Sequence, residues 1–141
     1  MQEVQESTRT SARAAPDVLI VDDDPFAHTV MGEALGAMGI AAIHTALSGR
    51  KALGILSTLS KPPDFVICDV FMPDMDGFEF MDELVKQNYR GGVVIVSGVD
   101  AHMLDLTRVF AKTLGLKVRG AFVKPVAYQD LVQAISFKVT A

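Results

Sequence analysis

The chain has 141 residues, of which 50% are hydrophobic and 21% are charged, and its formal net charge is -4. This length can bury one sizeable core and favours a single domain. The acidic balance argues against a domain that binds nucleic acid or a membrane surface, since both need a surplus of Lys and Arg.

The cysteine content and the first residues indicate a compartment. Cys68 is the single cysteine of the sequence, which excludes an intramolecular disulfide. The first residues lack the apolar run of a secretory signal, and no stretch reaches the ~18 uncharged apolar residues of a membrane span. We therefore expect a cytoplasmic protein.

The N-terminal part of the chain predicts a leader and then a buried strand. Residues 1–16 show neither helical nor strand periodicity, so we expect a flexible leader before a domain at 17–141. Val18–Val21 is a short apolar run typical of a strand buried on both faces. Asp24 and Pro25 suit the cap and the first position of a helix. That helix should end at Gly39, with a second strand at 40–46.

The same alternation continues along the chain. Ser48 is expected to cap a second helix that ends before Pro62. The elements predicted after it are a strand at 65–68, a helix at 77–88, a strand at 93–97, a helix at 101–114, a strand at 118–123 and a helix after Pro125. Five strands that alternate with five helices predict a doubly wound α/β fold, in which helices cover both faces of a parallel sheet.

Polar residues follow four of the five predicted strands. Asp22 and Asp23 follow the first strand, and Asp69, Ser97 and Lys124 follow the third, fourth and fifth. The carboxyl ends of the strands form the ligand site in this architecture. Converging carboxylates repel one another unless a cation compensates, and magnesium prefers oxygen ligands. We predict a magnesium site at the three aspartates, where manganese could substitute, with Lys124 as a second positive charge.

An aspartate beside a metal ion and a lysine can attack a phosphoryl donor, because the cations neutralise charge on the transferred group. We choose Asp69 as the acceptor, since its strand is central, and we expect Ser97 to donate a hydrogen bond to the phosphoryl group. Taken singly, each residue also has a structural interpretation. Asp69 could be a helix cap or an ion-pair partner of Lys124, and Ser97 could satisfy loop backbone groups.

Four segments together resemble a receiver domain of the response regulators of two-component signalling. They are VLIVDDDP at 18–25, CDVFMPDMDG at 68–77, Ser97-Gly98 and Lys124-Pro125. The resemblance covers the chain from about Asp17 onward. It implies a flavodoxin-like five-stranded sheet in the order 2-1-3-4-5 and a cis peptide bond before Pro125.

The resemblance also implies roles for the site residues. Asp69 is the magnesium-dependent phosphoryl acceptor, Ser97 and Lys124 contact the phosphoryl group, and the metal is held by Asp22, Asp23, Asp69 and the backbone carbonyl of Phe71. The implied partners are a sensor histidine kinase or phosphotransfer protein and an output protein or domain, reached through the face formed by residues 98–141. A homodimer through that face is left open. The implied chemistry is limited to self-phosphorylation and dephosphorylation, so the chain is not expected to be an enzyme.

The sequence departs from the family at Ala121, where receivers commonly place Tyr or Phe three residues before the lysine. Phe122 is displaced by one position, which reverses the face of a strand. We therefore expect phosphorylation to act through Ser97 and the loop and helix that follow it. Phe71 and Val99 are apolar where some receivers carry groups that position the attacking water, which predicts slow loss of phosphate.

The sequence also allows other functional interpretations. Residues 114–125 look similar to receivers that precede EAL-type cyclic-di-GMP phosphodiesterase domains, but none of the EAL catalytic residues could lie in this chain. A phosphate-independent, receiver-like binding module is the alternative function. A haloacid-dehalogenase-like phosphatase fits less well, because its two aspartates lie two residues apart and Asp22 and Asp23 are adjacent.

We expect the side chains of Met72, Met75 and Cys68 to pack in the interior, and we expect the histidines to form no metal site.

Overall fold

A computed structural model describes residues 15–98 and 101–136. The strands within these residues are β1 (Val18–Val21), β2 (Ile43–Ala46), β3 (Phe65–Asp69), β4 (Gly92–Ser97) and β5 (Lys117–Val123). The helices within them are α1 (Pro25–Ala37), α2 (Gly49–Thr58), α3 (Gly77–Lys86), α4 (Ala101–Thr113) and α5 (Tyr128–Ala134). The predicted leader at 1–16 lies outside the described residues as far as residue 14.

The strands pair in parallel in the order β2-β1-β3-β4-β5, which confirms the predicted fold class and strand order. The three central strands are buried along their whole length, as expected for strands covered on both faces. Because all strands run the same way, their carboxyl ends meet at one edge of the sheet. No helix within the described ranges is long and apolar enough to cross a membrane.

Two hydrophobic clusters lie on opposite faces of the sheet. In β3, Val66 and Cys68 belong to the cluster that α2, α3 and α4 cover, which we call the α4-side cluster. Phe65 and Ile67 belong to the α5-side cluster, which α1 and α5 cover. Each fully buried Val, Leu, Ile, Phe or Met contributes roughly 1.5–3 kcal/mol. The two clusters together hold the strands side by side, so the polar residues at the strand ends lie next to one another.

The helix ends explain where the predicted boundaries were wrong. Asp24 caps α1 by accepting a hydrogen bond from the backbone N–H of Phe26, as predicted. After α1, Gly39 has a φ of 88°, and the N–H of Ile40 donates to the carbonyl of Leu35 at 3.1 Å. This turn closes the helix, so β2 begins at residue 43 and not at 40.

The end of α3 shows the same turn without a glycine. Asn88 has a φ of 61°, a conformation that Asn tolerates better than most residues. The N–H of Tyr89 donates to the carbonyl of Leu84 at 3.0 Å. The helix predicted at 77–88 therefore ends at Lys86.

A β-bulge interrupts the pairing of β5. Val118 pairs with Val93 and Gly120 pairs with Val94, so Arg119 is the extra residue. The Arg119 guanidinium carbon lies 5.5 Å from the centre of the Phe65 ring, within cation-π range. Beyond the bulge the strand is regular up to its carboxyl end, where Val123 pairs with Ser97.

Candidate functional site

The predicted polar residues converge at the carboxyl edge of the sheet. Asp22 follows β1 directly, Asp69 and Ser97 are the last residues of β3 and β4, and Lys124 follows β5. These four strands are consecutive neighbours in the sheet. The apolar runs that form the strands therefore place the polar residues side by side.

Three carboxylates form a cluster at this edge. Each of Asp22, Asp23 and Asp69 offers an oxygen, and these atoms lie within 4.8 Å of one another. Asp22 is 3% exposed and Asp69 is 7% exposed, whereas Asp23 faces solvent. The cluster is therefore open on one side and enclosed on the other.

Lys124 reaches into this cluster from β5. Its Nζ lies 2.5 Å from Oδ2 of Asp22 and 2.9 Å from Oδ2 of Asp69. The peptide bond between Lys124 and Pro125 is cis, as the resemblance implied, and the Lys124 backbone N–H donates to the carbonyl of Ser97 at 2.8 Å. The ammonium group therefore joins two acidic residues that come from different strands.

Burial and hydrogen bonds together shift the pKa values of Asp69 and Lys124. Burial raises the pKa of the Asp69 carboxyl, although hydrogen bonds from Lys124 and from the backbone N–H of Phe71 oppose the rise. Burial alone would lower the pKa of Lys124, but its hydrogen bonds to Asp22 and Asp69 raise it. Lys124 is therefore held in its charged form.

Cys68 lies next to the acceptor candidate and is completely buried. Burial, followed by the negative charge of Asp69, raises the pKa of its thiol well above the usual range. A thiol of this kind stays protonated and is a poor nucleophile. The prediction of a buried packing thiol is confirmed.

Backbone contacts hold Asp22 in place. Its Oδ1 accepts a hydrogen bond from the N–H of Asp24 at 2.9 Å. Nε2 of His28, on α1, lies 2.7 Å from the carbonyl oxygen of Asp22. Within the described part of the chain, Nδ1 of His28 is buried and has no hydrogen-bond partner. From the sequence we expected only that the histidines form no metal site, and no sequence signal pointed to this contact.

The segment between β3 and α3, residues 70–76, is here called the acceptor loop. The N–H of Phe71 donates to Oδ1 of Asp69 at 3.2 Å, so the loop begins by folding back on that carboxylate. The Phe71 side chain is 45% exposed. Met72 and Met75 are buried in the α4-side cluster, which confirms their predicted packing role. Val99 lies outside the described residues.

The donor set fits a hard divalent cation. Three carboxylates face one ammonium group, so negative charge remains in excess. Excess charge on clustered oxygens favours Mg²⁺, which binds one or two carboxylates together with water and substrate oxygens. Asp22, Asp23 and Asp69 could therefore hold a metal ion.

The sequence has relatives among known proteins. It is 40% identical over 83 residues to a protein-glutamate methylesterase/protein-glutamine glutaminase from Treponema denticola, covering 58% of this chain and 22% of that protein. It is 28% identical to the chemotaxis protein CheY of Treponema pallidum, covering 84% of this chain and 79% of that protein. It is 28% identical to the cyclic di-GMP phosphodiesterase RocR of Pseudomonas aeruginosa, covering 85% of this chain and 30% of that protein.

The match to RocR is consistent with the resemblance to receivers that precede phosphodiesterase domains. The chain spans less than a third of RocR and of the methylesterase, so their activities are stated of those proteins only. Among solved structures, the CheX-CheY-BeF3-Mg²⁺ complex from Borrelia burgdorferi contains a chain that aligns with a TM-score of 0.71 at 25% identity, covering 84% of this chain and 85% of that one.

Residues 18–136 match the family described as the response regulator receiver domain. The match spans all five strands and all five helices of the described residues. The strand order agrees with it. The chain belongs to the response-regulator receiver domain family.

Proposed function

We propose that this chain accepts a phosphoryl group on Asp69 from a histidine kinase or phosphotransfer protein and relays a conformational change through residues 98–141. The observation that carries the proposal is the position of Lys124, whose ammonium group bonds both Asp69 and Asp22. A lone ion pair would need one carboxylate, whereas a phosphoryl site needs a cation beside an acceptor and a second acidic group for a metal. The proposal assigns the receiver domain to residues 17–141 and the leader to residues 1–16.

In the proposed step, a carboxylate oxygen of Asp69 forms a bond to phosphorus. The bond from phosphorus to the donor nitrogen breaks, and its electron pair stays on the histidine ring. The product is an acyl phosphate on Asp69. Lys124 supplies positive charge beside the transferred group, and Ser97 supplies a hydroxyl donor at the neighbouring strand end.

We infer that magnesium is held by Asp22, Asp23, Asp69 and the carbonyl of Phe71, and that manganese can substitute. When bound, the ion supplies positive charge that offsets the charge on the transferred oxygens. The carboxylate cluster supports this assignment. The relative in the Borrelia burgdorferi complex was crystallised with BeF3 and Mg²⁺, which agrees with it.

A groove beside the acceptor supports a protein as the phosphoryl donor. It has a volume of about 280 Å³, lies between α1 and α5, and reaches Lys124. Phe26 and Val30 on its rim are exposed. Exposed apolar side chains next to a reactive group are typical of a surface that another protein covers. We place the donor protein at this groove.

The output surface is proposed within residues 98–141. Leu106 and Val109 of α4, Val123 of β5 and Tyr128 of α5 are large exposed apolar residues within residues 98–141. Phe137 lies outside the described residues. Met103 is half-buried. An output protein, an output domain or a second copy of the chain could cover this face.

The experiment is intact mass measurement after treatment with acetyl phosphate and magnesium. We expect one phosphoryl addition to the wild-type chain and none to Asp69→Asn. Asp82→Asn is the matched control, because Asp82 is a partly exposed aspartate that pairs with Lys86 on α3. It should be labelled like the wild type.

Three other outcomes would contradict the proposal. A wild-type chain that takes no phosphoryl group would favour the phosphate-independent binding module. Continuous turnover of a phosphate monoester would favour a hydrolase. Labelling that persists in Asp69→Asn would move the acceptor to another residue.

A further inference from the structure

We infer that Asp74 is a positioning residue for the magnesium and acceptor site, because its carboxylate fixes the middle of the acceptor loop to the start of α2. The inference rests on the proposed function and extends it to a residue outside the carboxylate cluster. Asp74 itself belongs to no metal cluster found in the described residues. Its effect on the site would pass through the loop that carries Phe71.

Both oxygens of Asp74 bind the start of α2. Oδ1 accepts a hydrogen bond from the N–H of Gly49 at 3.2 Å, and Oδ2 accepts one from the N–H of Arg50 at 2.8 Å. The first N–H groups of a helix have no partner within the helix, and its positive end attracts a carboxylate. Burial alone would raise the pKa of Asp74, but these hydrogen bonds lower it. The Asp74 carboxylate therefore stays ionised and joins the acceptor loop to the start of α2. These two hydrogen bonds are here called the Asp74 clamp.

The apolar side chains of the loop pack on the same helix start. A Cβ added to Gly49 would lie 2.5 Å from Cγ of Met75 and 3.5 Å from Cε of Met72. The absence of a side chain at residue 49 lets the loop approach this closely. Polar and apolar contacts therefore hold the acceptor loop against one point of α2.

The ends of the loop are fixed by hydrogen bonds that backbone N–H groups donate. The N–H of Phe71 donates to Asp69 Oδ1, and the N–H of Gly77 donates to the carbonyl of Val70 at 2.7 Å. Residues 72–76 lie between these points, and Asp74 is the member of this stretch whose carboxylate reaches another helix. Loss of its carboxylate would leave the middle of the loop held to α2 by apolar contacts alone and would loosen the placement of Phe71 relative to Asp69.

Asp74 is not required merely to begin α2. Ser48 already caps this helix, since its Oγ accepts a hydrogen bond from the N–H of Lys51 at 3.1 Å. Ser48 and Asp74 thus bind different N–H groups of one helix start. Ser48→Ala weakens that helix start and leaves the acceptor loop attached, which makes it the matched control for Asp74→Ala.

The test is a magnesium titration followed by backbone amide NMR, with wild-type chain, Asp74→Ala, Asp74→Asn and Ser48→Ala. We expect magnesium to bind Asp74→Ala roughly tenfold more weakly than the wild type, as is typical when a group that orients a metal ligand is lost. Asp74→Asn should lie between the two, because its amide oxygen can still accept one N–H. Ser48→Ala should bind magnesium like the wild type. Urea unfolding confirms that each variant is folded at the titration temperature.

The rate of labelling by acetyl phosphate is measured on the same four proteins. Wild-type affinity and wild-type labelling in Asp74→Ala would overturn the inference and leave the proposed function standing. Equal weakening in Ser48→Ala would also overturn it, since helix stability alone would then explain the loss. A wild-type chain that binds magnesium in an Asp74-dependent way but takes no phosphoryl group would refute the proposed function only. A wild-type chain that binds no magnesium would refute both.

Discussion

Ala121 and Phe122 are neighbours in β5 that pack on opposite faces of the sheet. Ala121 packs against the α4-side cluster and Phe122 against the α5-side cluster. This arrangement confirms that Phe122 does not occupy the place of the aromatic residue that receivers commonly carry at position 121. A signal that reaches α4 must therefore travel without that ring, and Ser97, at the end of the neighbouring strand, is the residue we propose to carry it.

The first prediction concerns this route. Addition of beryllofluoride with magnesium, a phosphoryl mimic, should shift the amide resonances of residues 98–114 in NMR spectra. Phe122→Leu should give the same shifts, because residue 122 packs on the other face. Unchanged amide resonances for residues 98–114 in the wild-type chain would contradict the proposal that Ser97 carries the signal to α4.

The second prediction concerns magnesium and stability. Asp69→Asn should be more stable to urea than the wild type in EDTA at pH 7, by about 1 kcal/mol, because burial disfavours the charged carboxylate. Magnesium at roughly 100 times its dissociation constant should stabilise the wild type by about 2.7 kcal/mol. The gain should be smaller in Asp69→Asn, which lacks one ligand. Equal gains in both proteins would argue against Asp69 as a ligand.

The third prediction concerns the pH dependence of the Asp74 clamp. Asp74→Ala should lower the free energy of unfolding at neutral pH by about 1 kcal/mol, the usual effect of losing a helix cap. The pKa of Asp74 is lowered from its ordinary value of 3.8 in the folded chain. Its stabilisation is thus complete above that value and is lost as the pH falls through the lower folded pKa.

Urea unfolding of Asp74→Ala and the wild type between neutral pH and the acid limit of the folded chain measures this difference. The gap between the two proteins should narrow at the acid end. The gap for Ser48→Ala should stay constant, because its hydroxyl does not titrate in this range. A gap for Asp74→Ala that does not change with pH would contradict a charged clamp.

The fourth prediction concerns Gly77, the first residue of α3. A Cβ there would lie 3.2 Å from both Cα and the carbonyl oxygen of Val70, and 3.3 Å from Cγ2 of Thr107. Backbone atoms cannot swing aside, so Gly77→Ala should cost roughly 1–3 kcal/mol, as overpacking does. Gly32→Ala is the control, because nothing lies within 4 Å of the added atom on α1. It should stabilise the chain by up to about 1 kcal/mol.

Thermal and urea unfolding of the two glycine variants separate these effects. Gly77→Ala should also slow labelling by acetyl phosphate, because Gly77 binds the first residue of the acceptor loop. Gly32→Ala should leave labelling unchanged. A Gly77→Ala chain as stable as the wild type would show that the loop gives way without cost.

The fifth prediction concerns the lifetime of the phosphoryl group. The exposed ring of Phe71 lies two residues after the acceptor and offers no hydrogen bond to a water molecule. We expect the half-life of phosphorylated Asp69 to exceed seconds in a phosphate-release assay. Phe71→Asn should shorten it, since an amide can position the attacking water. A wild-type half-life of seconds would refute this expectation.

Much of the site could be predicted because it depends on local patterns. Each buried strand appears in the sequence as a short apolar run, and the polar residue after it marks the carboxyl end. Asp22, Asp69 and Lys124 were placed in this way, and the structure brings them within hydrogen-bonding distance. The position of Ser97 at the end of β4 was found by the same reasoning.

Contacts between a side chain of one element and backbone groups of another could not be predicted. The hydrogen bonds of Asp74 to Gly49 and Arg50 join residues that are 25 and 24 positions apart. They depend on how the acceptor loop folds over α2, and no periodicity encodes that path. His28 is similar, since its contact with the carbonyl of Asp22 requires the turn of α1 against the end of β1. Arg119 is an extra residue because of the way β5 pairs with β4. The sequence of β5 alone does not contain this pairing.

The β-bulge also affects how copies of this chain can associate. β5 lies at one edge of the sheet, where unpaired backbone groups could otherwise accept a strand from another molecule. Lys117 and Arg119 are exposed along this edge, and the bulge falls at Arg119. Positive charge and a break in the hydrogen-bonding ladder both oppose extension of the sheet across this edge. Association through residues 98–141 would therefore proceed by contacts between side chains and not by extension of the sheet.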